Sequence, residues 1–265
     1  MATNDRPLLV FDIHGVLMGR REPVGHRPPG EVIGALRAAG YPMRFLTNSS
    51  SVSRHAFAGQ LAAEQVEVMA DEIYTAAIVV SHYLLSSRSP SRLYVIGSPV
   101  LRDEIATMCG NRVVWVPPEE ADTVVVSRDP LLTDEVLERL NASSLRLIAT
   151  CRDPDFPDGA VRVPGPGPTV CRVETALGLT AQVVGKPNTY VLTHVMGLSP
   201  EELSRTFVIG DSIDQDVALG RNAGTKVLLV RNDQTRLPPQ ADSRWIPDRV
   251  ISALDELLSL LPVTI

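Results

Sequence analysis

Seven short apolar runs recur along the chain, and their alternation with amphipathic stretches constrains the fold more than any other feature. They are LLVFD (8–12), MRFLT (43–47), LYVIG (93–97), TVVVS (123–127), RLIAT (146–150), FVIGD (207–211) and KVLLV (226–230). Each run is continuous rather than alternating, as in strands covered on both faces. Between and after them lie predicted helices: EVIGALRAAG, SRHAFAGQLAAEQ, DEIYTAAIVVSHYLLSS, LRDEIATMCG, TDEVLERLN, NTYVLTHVMG, DQDVALGRNAG and VISALDELLSLL. Strand followed by helix, repeated, predicts an α/β fold built on parallel sheet. With 265 residues and 44% hydrophobic content, the chain can bury a sizeable core as one large domain or two modest ones. Proline and glycine crowd residues 154–168 (PDFPDGAVRVPGPGP), which predicts a turn-rich loop there.

A net charge of -6 supplies no broad basic surface for neutralising phosphates, so nucleic acid is not an expected partner. The three cysteines, Cys109, Cys151 and Cys171, are too scattered for a disulfide framework or a metal-ligand pair, and are expected to be reduced, semi-buried thiols. The N-terminal MATNDRPLLVFD lacks the charged-then-apolar pattern of a leader, and no apolar run reaches the roughly 18 residues that a bilayer requires. A cytoplasmic protein with no membrane partner is the expectation.

Three of the apolar runs end in a reactive residue: Asp12, Thr47 and Asp211. In a parallel sheet these ends gather at one edge, where ligands of open α/β folds bind. Capping of the next helix would explain any one of them, but explains all three together poorly. Two carboxylates and a hydroxyl at one edge could hold Mg²⁺, which takes a few hard oxygens and keeps waters for a phosphate ligand. One carboxylate could also attack phosphorus, dividing a difficult transfer into two easier ones, and Asp12 is assigned that part. Phosphoryl transfer spreads charge over equatorial oxygens, so the site needs hydroxyl, amide and cationic partners. Thr47, Asn48 and Ser49, at a strand-to-helix junction, offer hydroxyls and backbone N–H groups; Lys186, in VVGKPN, offers the cation.

Other motifs carry less. The GPGPT segment with Gly165 and Gly167 lacks the strand and helix context of a dinucleotide fingerprint, and VGKPN lacks the upstream glycine of a P-loop. His26, His55, His82 and His194 are isolated in sequence and are expected at the surface or in packing; Trp115 and Trp245 flank strand-like runs as packing residues.

The ordered set FDIHGVL, FLTNSSS, VVGKPN and VIGDSIDQDV resembles the four motifs of the haloacid dehalogenase (HAD) superfamily of phosphotransferases. The segments RPPGEVIGALRAAGY, LIATCRDPDFPDG, PGPGPTVCRVETALG and DVALGRNAGTKVLLV are similar to the NagD-like, 4-nitrophenylphosphatase-like branch, of the subclass IIA type. The resemblance implies a Rossmann-like core over 1–75 and 180–265, with an α/β cap domain inserted over 76–179. It implies a Mg²⁺-dependent hydrolase or phosphotransferase acting on a small phosphorylated metabolite, and a possible homodimer through the cap. Position by position, Asp12 matches the nucleophile, Thr47 the phosphate-binding hydroxyl, and Lys186 the neutralising cation. Asp211 and Asp216 match the metal-binding motif. The residue two after the nucleophile gives its backbone carbonyl to the metal and its side chain to acid–base work. Cys151 and Asp153, in the cap segment LIATCRDPDFPDG, fall where the family contacts substrate.

The departure is His14, which stands where the family has a second aspartate. An imidazole, with an unperturbed pKa near 6.5, could serve as the proton donor and acceptor. Alternatively His14 is a weak acid, and the chain is a relative that catalyses a different reaction on a phosphate-containing metabolite. In a third reading catalysis is impaired and the pocket binds a ligand. General acid–base help is worth roughly 10²–10⁴-fold, so its loss would cripple a site without emptying it.

Overall fold

The computed structural model describes residues 6–20, 22–87, 89–158, 161–232 and 245–261. Residues 1–5, part of the segment read for a leader, lie outside them. The described strands are β1 (Leu9–Asp12), β2 (Met43–Leu46), β3 (Ile73–Tyr74), β4 (Ser91–Ile96), β5 (Val113–Trp115), β6 (Thr123–Val126) and β7 (Arg146–Ala149), then β8 (Asp155–Asp158), β9 (Val161–Pro164), β10 (Gln182–Val183), β11 (Phe207–Gly210), β12 (Lys226–Val230) and β13 (Arg249–Ile251). The chain forms two units, one from residues 1–47, 54–74 and 192–265, the other from 48–53 and 75–191.

In the first unit six strands form a sheet in the order β13-β12-β11-β1-β2-β3, with every pair parallel. β1 is apolar up to its last residue, Asp12, and wholly buried, as suits a central parallel strand. Phe11 stacks on Phe45 of β2 with ring centroids 5.8 Å apart, and both are fully buried; each such side chain contributes about 1.5–3 kcal/mol through burial. The helix Pro29–Ala38 starts with proline in its first turn and buries Val32, Ile33 and Leu36 on one face. Beyond β11, Ile213 and Val217 pack with Val227, Leu229 and Trp245, so Trp245 has the packing part expected of it.

In the second unit five strands run β10-β7-β6-β4-β5, again all parallel. Helix Pro99–Cys109 is capped by Ser98, whose hydroxyl accepts from the Leu101 N–H, and it buries Leu101, Ile105 and Cys109. Helix Pro166–Leu177 likewise opens on proline and stops at Gly178, which has a φ of 64°. No described helix is long and apolar enough to cross a membrane.

Several local expectations are corrected. Within 154–168, Asp155–Asp158 and Val161–Pro164 form the antiparallel β8–β9 pair and Pro166 opens a helix, where a loop was expected. Prolines suit both places, at the helix start and in a two-stranded pair without a central position. In the stretch DEIYTAAIVVSHYLLSS, Ile73–Tyr74 is strand and the helix covers only Ala76–Leu85. In VISALDELLSLL, Val250 and Ile251 belong to β13. Residues 48–53, 75 and 180–191, expected with the first unit, group with the second, where β10 pairs with β7.

Candidate active site

In the first unit the three expected carboxylates converge. β1 lies between β11 and β2, and the chain leaves it in one direction to β2 and returns on the other side at β11. Such a reversal opens a crevice at the carboxyl ends of the strands. Asp12 closes β1, Asp211 directly follows β11, and Asp216 sits in the π-helical turn Ile213–Val217. Carboxylate oxygens of all three lie within 4.8 Å of one another. Asp12 and Asp216 are buried and Asp211 is half-buried.

The loops around the cluster are ordered by its own residues. Asp216 Oδ2 accepts from the backbone N–H of Asp211 at 3.2 Å and of Ser212 at 3.1 Å, which ties the wide turn back to its start. Gly15 has a φ of 79°, and a Cβ there would lie 2.0 Å from Asp211 Oδ2, so only glycine allows the first loop to approach that carboxylate. Asn232, just beyond β12, donates through Nδ2 to the Gly15 carbonyl at 2.7 Å and to Asp211 Oδ2 at 3.0 Å. This clamp on Asp211 was not expected from the sequence. The imidazole of His14 is not part of the carboxylate group; it is exposed and meets the ring of Phe57 edge-on, at 5.6 Å between centroids. Thr47, buried, follows β2 and its N–H donates to the Tyr74 carbonyl at 3.0 Å.

The donor set suits a hard divalent ion. Three carboxylates within one small volume, two of them buried, repel unless a cation or protons compensate them, and oxygen-only ligation fits Mg²⁺.

The second unit gathers a different set. Asn48 Oδ1 accepts from the Lys186 N–H at 3.0 Å, and its Nδ2 donates to the Lys186 carbonyl at 3.3 Å and to Asp153 Oδ2 at 3.1 Å. The Cys151 thiol donates to the same Asp153 oxygen at 3.3 Å. Cys151 is fully buried, and burial, with the Asp153 carboxylate beside it, pushes its pKa well above the usual thiol range. It is a neutral donor to Asp153 and presents no surface of its own. Lys186 is buried at 4% exposure, and the Ser49 carbonyl accepts from the Ala76 N–H at 3.2 Å. The isolated histidines keep to ordinary contacts: His26 Nδ1 lies 2.8 Å from Asp255 Oδ1, and His82 Nδ1 lies 3.1 Å from the Tyr190 hydroxyl.

Residues 9–109 match the family described as haloacid dehalogenase-like hydrolase, and residues 183–257 match a HAD-hydrolase-like family. The sugar-phosphatase AraL of Bacillus subtilis is 31% identical over 280 residues, an alignment that covers 98% of this chain and 96% of that protein. The 5'-nucleotidase YutF of the same organism is 24% identical and aligns over 93% of this chain and 95% of its own. The crystal structure of a 4-nitrophenylphosphatase from Thermotoga maritima superposes with a TM-score of 0.80 at 26% identity, covering 96% of this chain and 97% of that one.

Proposed function

Because the chain belongs to the haloacid dehalogenase-like hydrolases, we propose that it is a Mg²⁺-dependent phosphatase or phosphotransferase that acts on a small phosphorylated metabolite through an aspartyl phosphate on Asp12. The observation that carries this reading is the convergence of Asp12, Asp211 and Asp216 at the carboxyl ends of the central strands. The relatives are named for a sugar phosphate, a nucleotide and a nitrophenyl ester. What those substrates share is a phosphomonoester, so the common chemistry lies at phosphorus.

Asp12, Asp211, Asp216 and the carbonyl of His14 are the groups that would hold Mg²⁺, which when bound would draw charge from the phosphoryl oxygens. An Asp12 carboxylate oxygen attacks phosphorus, the ester P–O bond breaks, and the departing alkoxide takes a proton from the His14 imidazolium. Neutral His14 then removes a proton from water, which attacks phosphorus and releases phosphate with Asp12 restored. The Thr47 hydroxyl and the N–H groups of Asn48 and Ser49 are assigned to the equatorial oxygens, and the Lys186 ammonium to their charge. The second unit takes the part of a cap that selects the alcohol portion of the substrate and excludes water.

The test is phosphate release from a panel of phosphate esters. Wild type is expected to turn over steadily, to require Mg²⁺, and to lose activity in Asp12→Asn. His14→Asp is expected to lower the rate, because the imidazole is the working acid. A gain of several hundredfold in His14→Asp would instead mark the histidine as a handicap. Tight binding of esters without turnover, unrestored by His14→Asp, would replace this reading with that of a ligand-binding relative.

A further inference from the structure

We propose that Asn48 is a positioning residue that fixes the backbone of Lys186, and that Cys151 and Asp153 support it in this role rather than contacting substrate. The inference rests on the phosphoryl-transfer reading for its kinetic consequence, and on geometry for the rest.

A carboxamide has two N–H donors and one acceptor oxygen. At Asn48 both donors are engaged, by the Lys186 carbonyl and the Asp153 carboxylate, and the oxygen takes the Lys186 N–H. The amide can face only one way, since its reverse would set oxygen against two oxygens and N–H against N–H. It therefore holds both polar groups of one residue's backbone, as a neighbouring strand would.

This contact begins where the ladder of the second sheet ends. The Val184 N–H donates to the Ala149 carbonyl at 3.1 Å and the Gly185 N–H to the Thr150 carbonyl at 2.8 Å; for Lys186 the Asn48 side chain takes over. A Cβ on Gly185 would lie 2.2 Å from the Thr150 carbonyl oxygen and 2.8 Å from Asn48 Oδ1, so the approach needs glycine. Asn48 itself sits in an anchored stretch. The Ser50 hydroxyl lies 2.7 Å from that of Ser127, which accepts from Thr150 at 2.9 Å, and Ser98 donates to the Ser50 carbonyl at 2.6 Å. All three hydroxyl partners follow interior strands of the sheet, so the platform is stiff. Because Thr47 is bonded directly to Asn48, the proposed phosphate hydroxyl and the anchor of the proposed cation occupy consecutive positions.

The decisive experiment compares Asn48→Asp, Asp153→Asn and the doubly exchanged chain. Asn48→Asp keeps the acceptor for the Lys186 N–H but sets two carboxylates against each other; the exchange restores one donor facing one acceptor. With 4-nitrophenyl phosphate and Mg²⁺, Asn48→Asp is expected to lower kcat about 100-fold, the scale of a misplacement near 1 Å, with KM changed less than threefold. The double exchange is expected to regain at least tenfold. Amide hydrogen exchange at Lys186 reads the anchor without reference to any reaction, and is expected to quicken at least tenfold in Asn48→Ala. Unchanged exchange at Lys186 in Asn48→Ala overturns the proposal, as does a kcat within threefold of wild type in Asn48→Asp, or a double exchange no better than Asn48→Asp. A wild type that hydrolyses no phosphate ester, beside quickened Lys186 exchange in Asn48→Ala, would refute the enzymatic reading and leave the anchor established.

Discussion

At the residue scale, the first loop sets His14, whose exposed ring meets Phe57, beside Gly15, which lets the loop approach Asp211. Asp12 and Asp211 were legible because each closes an apolar run that reads as a strand, and strand ends in a parallel sheet meet; Asp216 was legible only through the resemblance of VIGDSIDQDV to the fourth motif. Asn232 was not legible: no periodicity or spacing links position 232 to positions 15 and 211, and its part emerges only when β12 lies beside β11. Cys151 was expected to be semi-buried and is fully buried; that it turns toward Asp153 was hidden for the same reason, since a segment read in isolation gives no sign of its partners. Gly15→Ala is expected to be costly twice over. A left-handed backbone carries about 1–2 kcal/mol for a non-glycine residue, and the new methyl meets the Asp211 carboxylate. Urea unfolding should show that loss, and phosphate release should fall about 100-fold; a fully active Gly15→Ala would show that Asp211 need not stand where Gly15 admits it.

At the element scale, the seven apolar runs became the seven interior strands, β1, β2, β4, β6, β7, β11 and β12; of the six described strands not read from the sequence, β3, β5, β10 and β13 are the edges of the two large sheets, and β8 and β9 form a pair of their own. An interior strand must be apolar on both faces, whereas an edge strand of two or three residues needs no such run. Neither β10 nor β13 is fully buried. Besides the packing of Ala181 and Val183 against the core, the edge at β10 has polar support. Glu174, on the helix Pro166–Leu177, takes Arg152 Nη1 at 2.9 Å and the Ala181 N–H at 2.7 Å, just before β10. The Arg152 guanidinium, against the effect of burial and with help from the Ala181 N–H, holds the Glu174 carboxyl below the usual carboxylate range. A carboxyl whose folded pKa is depressed stabilises above its unfolded pKa, and that contribution is lost as pH falls through the folded value. Glu174→Gln is therefore expected to destabilise at pH 7 by at most about 1 kcal/mol, given that Arg152 is partly exposed. The gap to wild type should close in acid, below about pH 4. Thermal unfolding across that range checks it, and a gap that is constant with pH would assign the loss to packing.

At the scale of the whole molecule, a clustered set of acids predicts linkage between ion binding and folding. Mg²⁺ that binds the folded chain alone adds stability in proportion to the logarithm of its concentration, about 2.7 kcal/mol at 100 times Kd. Calorimetric scans should show Tm rising with millimolar Mg²⁺ in wild type and staying level in Asp211→Asn; an equal rise in both would place the ion elsewhere. The alternation of runs was enough to foretell α/β architecture, yet it said little about where one unit hands the chain to the other, because residues 180–191 carry no marker of the sheet they join.

The pairing of β1 with β11, Leu9 opposite Phe207, has a consequence for biosynthesis. Residues 75–191 all leave the ribosome before that partner exists, and strand pairing between such distant stretches is slow to form. The nascent chain thus carries Asp12, the proposed nucleophile, early but receives Asp211 and Asp216 near the end, so a product truncated before Phe207 would hold Asp12 on a strand lacking one neighbour and would lack the carboxylate cluster.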